Sequence, residues 1–305
     1  MTKIVSVGIC AYNESKRIPE LFRSLLDQEL PSDFAVNEIL VVASGCTDGT
    51  DYLVEEWARL EPRVKLIREP ERRGKASAIN IILGRYRGDF LVLVNADTRL
   101  SPGALAALLR TFERDGRIDL VCGAPFPERT RGVLRLLVED VWWRLHNRTL
   151  QTLTILDKGN HCCDELMALR RGFCDSIPID IINDGAYLGV LAAQKGITVQ
   201  FSSAAMIAVD TPRTMRGLLQ QRRRVVRGHR QVLEVLGRAP YTLEGLAARS
   251  PDLAARILAS ELFHHPAQIV VFLFVALPLE CIAHALAGVE RMLGRAFQPA
   301  WPTVD

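Results

Sequence analysis

The sequence predicts an α/β protein: a doubly wound, mostly parallel sheet with a helical extension at the C-terminal end. Three observations predict it. From Lys3 to about Phe126, short apolar runs alternate with amphipathic segments at the spacing of β-α-β units. Runs such as Ile4–Cys10 and Asp89–Asn95 are apolar at nearly every position, as strands covered on both faces are. From Thr214 onward helical patterns follow one another instead.

In chain order, Ile4–Cys10 is the first strand and Ile18–Leu30 an amphipathic helix stopped by Pro31. Glu38–Ala43 is the second strand. Asp48–Leu60 is the second helix, with Asp48 placed to cap it. Arg63–Arg68, Gly74–Tyr86 and Asp89–Asn95 continue the alternation as strand, helix and strand. Ser101 before Pro102 has the N-cap and N1 pattern of a fourth helix. Gly132–Leu150 reads as a helix, and Leu166–Arg171 and Ile197–Phe201 as strands flanking a helix over Ala186–Gly196. Thr214–Leu236 is an arginine-rich amphipathic helix, broken by Gly237 and Pro240 and followed by another at Asp252–His264. The predicted organisation is a catalytic domain over 1–212, with halves 1–126 and 127–212, and a helical region over 213–305.

At 305 residues the chain is large enough for one large or two ordinary domains. Its 49% hydrophobic and 24% charged residues exclude a disordered chain, a fibrous repeat and a multi-pass membrane protein. A net charge of +3 is too small a bias to indicate nucleic-acid binding. Only six of the 38 basic residues are lysine, and arginine suits phosphate and carboxylate recognition. The seven cysteines form no C-x-x-C pair, which argues against a zinc site or a disulfide framework and for a reducing compartment. No signal-peptide pattern is visible, so the catalytic part is expected to face the cytoplasm. Residues 268–289 are almost wholly apolar, interrupted by Pro278, Glu280 and His284, and are near the length that spans a bilayer. They predict membrane association, with the arginine-rich helix and Trp142-Trp143 at an anionic lipid surface.

Ligands of such sheets bind at the carboxyl ends of the strands. Chemistry is therefore expected in the loops Ala11–Lys16, Ser44–Thr50, Glu69–Gly74 and Asn95–Leu100. A Walker A loop is excluded: Glu69 stands where glycine is required, and Ala76 follows Lys75 in place of Ser or Thr. No G-x-G-x-x-G follows the first strand.

The loops read Ala11-Tyr12-Asn13-Glu14, then Ser44-Gly45-Cys46-Thr47-Asp48-Gly49-Thr50, then Gly74-Lys75-Ala76-Ser77-Ala78-Ile79-Asn80, then Asn95-Ala96-Asp97. Further on come Asn183-Asp184 and Gln221-Arg222-Arg223-Arg224-Val225. In order and spacing these resemble the family 2 glycosyltransferases of GT-A fold. Their forms are P-A-Y-N-E, V-D-D-G-S-x-D-G-T, G-K-x-x-A-L-N, D-A-D, E-D and, in the membrane-associated branch, Q-R-x-R-W. The resemblance covers about residues 3–230.

It implies an inverting transfer of a sugar from a nucleoside diphosphate to an acceptor hydroxyl or lipid phosphate, with Mg²⁺ or Mn²⁺ as cofactor. Ala11, Tyr12 and Glu14 would hold base and ribose. Ser44 lies where the family places an aspartate that reads uracil, and a UDP-sugar is the favoured donor. Lys75, a cation at a helix start, would meet the diphosphate. Asp97 would hold the metal, with Asn95 in place of the first aspartate of D-x-D, and His229 would complete the metal shell. Asp184 would be the general base, with Asp180 its rival. Gln221, Arg222 and Arg224 would stabilise the departing diphosphate. Val225 replaces the tryptophan that stacks on acceptor sugars. His161 is a further candidate for the acceptor pocket, and Asp164 and Glu165 read as a solvated turn.

The acceptor is expected to be a sugar, a lipid-linked molecule or a small molecule. The location is expected at the inner face of the cell membrane, with no nucleic-acid partner. Two rival functions are a sugar-phosphate nucleotidylyltransferase and a catalytically inactive sugar-nucleotide-binding protein of the same fold.

Overall fold

The structure, a computed structural model, describes residues 1–128, 133–212 and 214–293. Chain order gives β1 (Lys3–Ala11), α1 (Ile18–Leu26), β2 (Phe34–Ser44), α2 (Thr50–Leu60), β3 (Val64–Glu69) and α3 (Lys75–Leu83). Then follow β4 (Phe90–Asn95), β5 (Thr98–Leu100), α4 (Ala104–Thr111), β6 (Leu120–Pro127), α5 (Val133–Ile155) and β7 (Leu166–Arg170). The rest is α6 (Asp184–Gln194), β8 (Gln200–Val209), α7 (Met215–Leu236), α8 (Leu243–Arg249), α9 (Pro251–His264) and a long kinked helix, α10 (Pro266–Met292).

Among the described residues the strands form one sheet in the order β3-β2-β1-β4-β7-β6-β8-β5. β3, β2, β1 and β4 run parallel, β7 lies antiparallel to both β4 and β6, and β8 pairs parallel with β6. Alternation in β4 shows why its run is apolar throughout. Val92 and Val94 join the core under α1 and α4, while Leu91 and Leu93 join the core under α3 and α6. Each face of the strand needs its own apolar set because helices cover both.

Helix boundaries show where local chemistry differs from the sequence expectation. α2 starts at Thr50 behind Gly49, whose φ of 86° only glycine adopts freely. Asp48 still satisfies the helix start, accepting from the Thr50 amide at 3.0 Å. α4 starts at Ala104 behind Gly103, so Ser101 and Pro102 form the preceding turn rather than the cap. α5 runs on to Ile155, and its expected start at Gly132 lies outside the described residues. α8, β5 and β6 were not anticipated as elements.

The largest departure is β8, expected over Ile197–Phe201 and found over Gln200–Val209. Its middle, Ser202-Ser203-Ala204-Ala205, lacks the β-branched residues that mark a strand. Tertiary pairing with β6 supplies what propensity does not. The opposite residue, Gly123, comes so close that a Cβ there would sit 2.6 Å from the Ala205 carbonyl oxygen. α7 matches its expected span. The Thr214 hydroxyl accepts from the Gly217 amide at 3.0 Å to open it, and Gly237 at φ 67° closes it.

α10 begins with one helical segment, passes through a π turn at Phe272–Ala276 just before Pro278, and continues to Met292. It packs along α7. Glu280 takes two bonds from Arg222, at 2.7 and 3.0 Å, and Glu290 pairs with Arg223 and Arg227. The opposite face carries exposed Val270, Phe274 and Ile282. Residues 294–305 of the expected helical region lie outside the described residues.

Candidate active site

A cleft of about 710 Å³ opens at the carboxyl ends of β1, β2 and β4. Two loops at its edge are stapled together by side chains. Asp48 accepts from the Ser15 amide at 2.9 Å and from the Thr50 hydroxyl at 2.6 Å. The Thr50 hydroxyl in turn accepts from the Glu14 amide at 2.8 Å, and Asn13 accepts from the Thr47 amide at 2.8 Å. These bonds fix Tyr12 and Glu14 in the cleft wall. The Arg72 guanidinium lies 3.6 Å from the Tyr12 ring centroid, so one face of that ring is already covered by a cation.

Of the ten expected donor-binding residues, nine line this cleft: Ala11, Tyr12, Glu14, Ser44, Lys75, Asn95, Asp97, Gln221 and Arg224. They come from four strand-end loops and from α7, whose Gln221 lies more than 120 residues beyond the last of those loops. The Ser44 hydroxyl bonds Glu69, which also accepts from Ser77 at 2.5 Å. Its hydrogen is thus committed to the protein and its lone pairs remain for a ligand.

The cleft floor is rich in carboxylates. Burial pushes the Glu14 carboxyl up to about 8, and the nearby Asp97 adds to the shift. Asp97 is reachable by solvent at the bottom of the cleft, but the protein crowded around it raises its pKa by desolvation, with a further push from Asp210. Asp210, at the end of β8, is held by Arg17 at 2.5 Å. Asp210 was missed by sequence reading because β8 was cut short at Phe201. Like charges held together in this way favour a cation. Among the described residues no three His, Cys, Asp or Glu side chains are grouped to hold a metal by themselves. Asp97 would hold a divalent ion only together with oxygen ligands from elsewhere, such as a diphosphate and water.

Behind the floor, Lys75 opens α3 and reaches Asp184 at 3.0 Å. Burial alone would lower the Lys75 pKa, but the charges of Asp184 and Asp164 overcome it and hold the pKa above its usual value. The two expected roles, phosphate contact and general base, thus belong to residues that pair with each other. Asp184 is 2% exposed and does not line the cleft itself. The residue before it, Asn183, does, and caps α6 by accepting from the Ala186 amide at 2.9 Å. Asp180 stands exposed outside the cleft, where its carbonyl accepts from Gln231 at 2.8 Å.

Asp164 and Glu165 are a correction. They form part of the cleft wall, not a solvated turn. Asp164 accepts from the Gly185 amide at 2.8 Å, in a gap where a Cβ on Gly185 would collide with it. Desolvation pushes the Glu165 carboxyl up to about 7, despite the opposing pull of Lys75.

Arg222 and His229 are also placed elsewhere. Both line a second cavity of about 410 Å³ and are absent from the walls of the cleft that holds Asp97. Arg222 is occupied by Glu280 and lies 4.8 Å from the Trp142 ring centroid. Successive helix residues point about 100° apart, so the same motif sends Arg224 to one cavity and Arg222 to the other. His229 stacks edge-on against His161, with ring centroids 5.2 Å apart. Burial, reinforced by the Arg222 charge, lowers its pKa to about 3.

A mixed α/β sheet with a carboxylate-rich cleft at its strand ends is an architecture that solved structures share. The mannosyltransferase PcManGT from Pyrobaculum calidifontis, in complex with GDP-Man and Mn²⁺, matches 97% of this chain and 89% of its own. Its TM-score is 0.69 at 21% identity, so the fold is that of the GT-A glycosyltransferases. The structure of S. aureus TarS 1-349 in complex with UDP matches at TM-score 0.51 and 15% identity, over all of this chain and 95% of that one.

The family model "Glycosyl transferase family 2" matches residues 6–177, more than half of the chain. The chain belongs to glycosyl transferase family 2. An uncharacterized glycosyltransferase of Haemophilus influenzae is 30% identical over 115 residues, 38% of this chain and 34% of that protein. A poly-beta-1,6-N-acetyl-D-glucosamine synthase of Staphylococcus aureus is 22% identical over 231 residues, 74% of this chain and 54% of that protein. The chain thus spans about a third to a half of the length of these curated relatives.

Proposed function

We propose that the chain transfers a sugar, with inversion, from a nucleoside diphosphate sugar to an acceptor hydroxyl. The observation that carries this reading is the meeting of nine expected donor residues in one cleft. Tyr12 and Glu14 hold the nucleoside, with Ser44 free to accept from a base; a uridine donor is favoured. Gln221 and Arg224, which line the same cleft as Asp97, receive the diphosphate. Mg²⁺ or Mn²⁺ on Asp97 would neutralise the diphosphate as it leaves. Asp184 takes the acceptor proton. Lys75, 3.0 Å away, holds that carboxylate in place.

Asn95 in place of a carboxylate lowers the charge of the site, so cation binding depends on the nucleotide. Exposed Phe274 and Ile282 on the outer face of α10 support attachment to a lipid surface on the cytoplasmic side. The ion pairs on the inner face of α10 favour a helix lying on the bilayer over one crossing it.

A nucleotide panel tests the donor site. UDP, GDP, dTDP and CDP are added with and without Mn²⁺, and the melting temperature is read. One nucleotide should stabilise strongly and only with the cation. Asp97→Ala should abolish the cation-dependent part and sugar transfer, and Asn95→Asp should keep or strengthen it. Stabilisation by Mn²⁺ and nucleotide that survives in Asp97→Ala removes Asp97 from the metal site. An inactive binding protein would pass this panel and show no transfer.

A further inference from the structure

The second cavity adjoins the donor cleft. The two share Trp143, Asp164, Glu165, Asn183, Gln221 and Val225 as common walls. Away from that junction the second cavity is enclosed by α5, α7, α8, α9 and the π turn of α10. Its outer walls are apolar, with Leu145, Leu150, Leu258, Phe272 and Leu277. Its volume falls within the range of small-ligand sites.

One wall carries a ladder of imidazoles. His146 meets His161 and His161 meets His229, edge to face, at 5.4 and 5.2 Å. Two nitrogens of the ladder, Nδ1 of His161 and Nε2 of His229, are buried with no hydrogen-bond partner, and His161 is 5% exposed. A buried polar atom left unpaired costs about 1–3 kcal/mol unless something fills the role. A hydroxyl arriving in the cavity would do so. Burial lowers the pKa of all three rings, so the ladder is neutral at physiological pH.

The charges then choose between two kinds of head group. Among the described lining residues the cation of this cavity is Arg222, and Glu280 already holds it through two bonds. At the junction stand Asp164 and Glu165, with Asp184 behind them and Lys75 already paired to Asp184. A phosphate would find no uncommitted cation on the described walls of the cavity, and its charge would add to a crowded acidic junction. A hydroxyl can donate to a carboxylate and can be deprotonated by one.

We propose that the second cavity seats the acceptor, and that the acceptor is an amphiphile with an apolar chain and a neutral hydroxyl rather than a phosphate head. This rests on reading the first cleft as the donor site. The chain lies against Trp142, Leu258 and Phe272, and the hydroxyl reaches the junction past Val225, whose small side chain leaves the passage open. Phe272 and Leu277 belong both to the cavity wall and to α10, whose outer face is apolar. An amphiphile resting in a lipid surface would therefore meet the cavity directly. The transfer step balances: the acceptor oxygen bonds the anomeric carbon, the bond to the diphosphate breaks with its electron pair, and the hydroxyl proton passes to Asp184.

Calorimetry with three probes tests this on the full chain: n-octyl β-D-glucoside below its micelle concentration, n-octyl phosphate and glucose. The glucoside should bind saturably, and the phosphate and glucose each at least tenfold more weakly. Ala255→Phe, which fills the cavity from its rim, should weaken the glucoside at least tenfold; if that variant does not fold, Leu258→Phe replaces it. Equal or tighter binding of octyl phosphate overturns the choice of head group. Equal binding of glucose overturns the apolar chain. Glucoside binding that Ala255→Phe leaves unchanged is adsorption to α10 and overturns the placement, as does no binding at all. Nucleotide with Mn²⁺ is titrated into the same sample. If nucleotide binds and the glucoside does not, the acceptor proposal fails and the donor reading stands. If the glucoside binds and no nucleotide does, the donor reading fails instead.

Discussion

The donor cleft and the second cavity share a wall but are built from different materials. The cleft takes most of its side chains from loops at strand ends, and short bonds between neighbouring loops hold those loops in place. Asp48, Thr50 and Asn13 supply them. The second cavity takes its side chains from the faces of helices, held by ion pairs between α7 and α10 some 58 to 67 residues apart. Loops at strand ends need particular residue types at particular spacings, because backbone turns, caps and ligand contacts are all local. Helix faces need only complementary neighbours, and those are set by packing. One region therefore leaves a motif in the sequence and the other does not.

The border between the two regions is where the largest effect is expected. Asp184→Asn keeps shape and hydrogen bonding but removes the proton acceptor, which costs on the order of 10²–10⁴ in kcat, about 3–5 kcal/mol in barrier. Nucleotide affinity should change by no more than about threefold, because Asp184 is not part of the donor wall. Glu165→Gln should be mild. If steady-state kinetics show the reverse, the base is Glu165, and the wall shared by the two cavities supplies the chemistry.

The same division decides what could be read in advance. The parallel strands β1 to β4 were legible because their short apolar runs recur at β-α-β spacing, and β2 and β4 are apolar on both faces. Nine of the expected donor residues meet in one cleft because they sit in ordered motifs, most on strand-end loops and two, Gln221 and Arg224, on α7. Arg222 and His229 were assigned to the donor because they share a helix with Gln221 and Arg224. Only the direction each side chain takes from α7, fixed by α10 packing on one side, separates them. Asp164 and Glu165 look like turn residues until α6 and α3 close over them. β8 lacks strand formers in its middle and exists through its partner β6.

A middle-sized effect should come from the ion pairs that hold the helical side. Glu280 is 6% exposed, so Glu280→Leu strands the Arg222 charge. Breaking a buried pair in this way costs about 3–5 kcal/mol of stability. The double change Arg222→Leu with Glu280→Leu should recover most of the loss, since a matched apolar pair often replaces a buried ion pair at little cost. Denaturant midpoints measure both. Nucleotide affinity of the double variant should stay within about twofold, if Arg222 belongs to the second cavity. A loss of tenfold or more would return Arg222 to the donor site and dissolve the distinction between the two regions.

The smallest effect concerns the donor side alone. Its carboxylates are crowded to receive a cation, so without one they should prefer to be protonated. Glu14 shows this most clearly, with its pKa raised from the ordinary carboxylate value to about 8 by burial and by Asp97. A folded-state pKa above the unfolded one means that the folded protein binds more protons between the two values. The resulting stability is complete below the unfolded pKa of about 4.3 and is lost as pH rises through the folded value. The cation-free protein should therefore melt at progressively lower temperature from about pH 4 to about pH 8. Glu165, raised to about 7, adds a contribution of the same sign. Asp48, held down to about 2 despite partial burial by its bonds to Thr50 and Ser15, gives up its own contribution only in acid and does not confuse this range. Glu14→Gln should flatten part of the slope, and Glu165→Gln another part. Mn²⁺ with nucleotide should flatten it in the native protein, because a bound cation removes the penalty for charging Glu14. A slope that Glu14→Gln leaves intact would mean that Glu14 is already ionised in the cleft, and that its loop is held open to water instead of packed around a cation site.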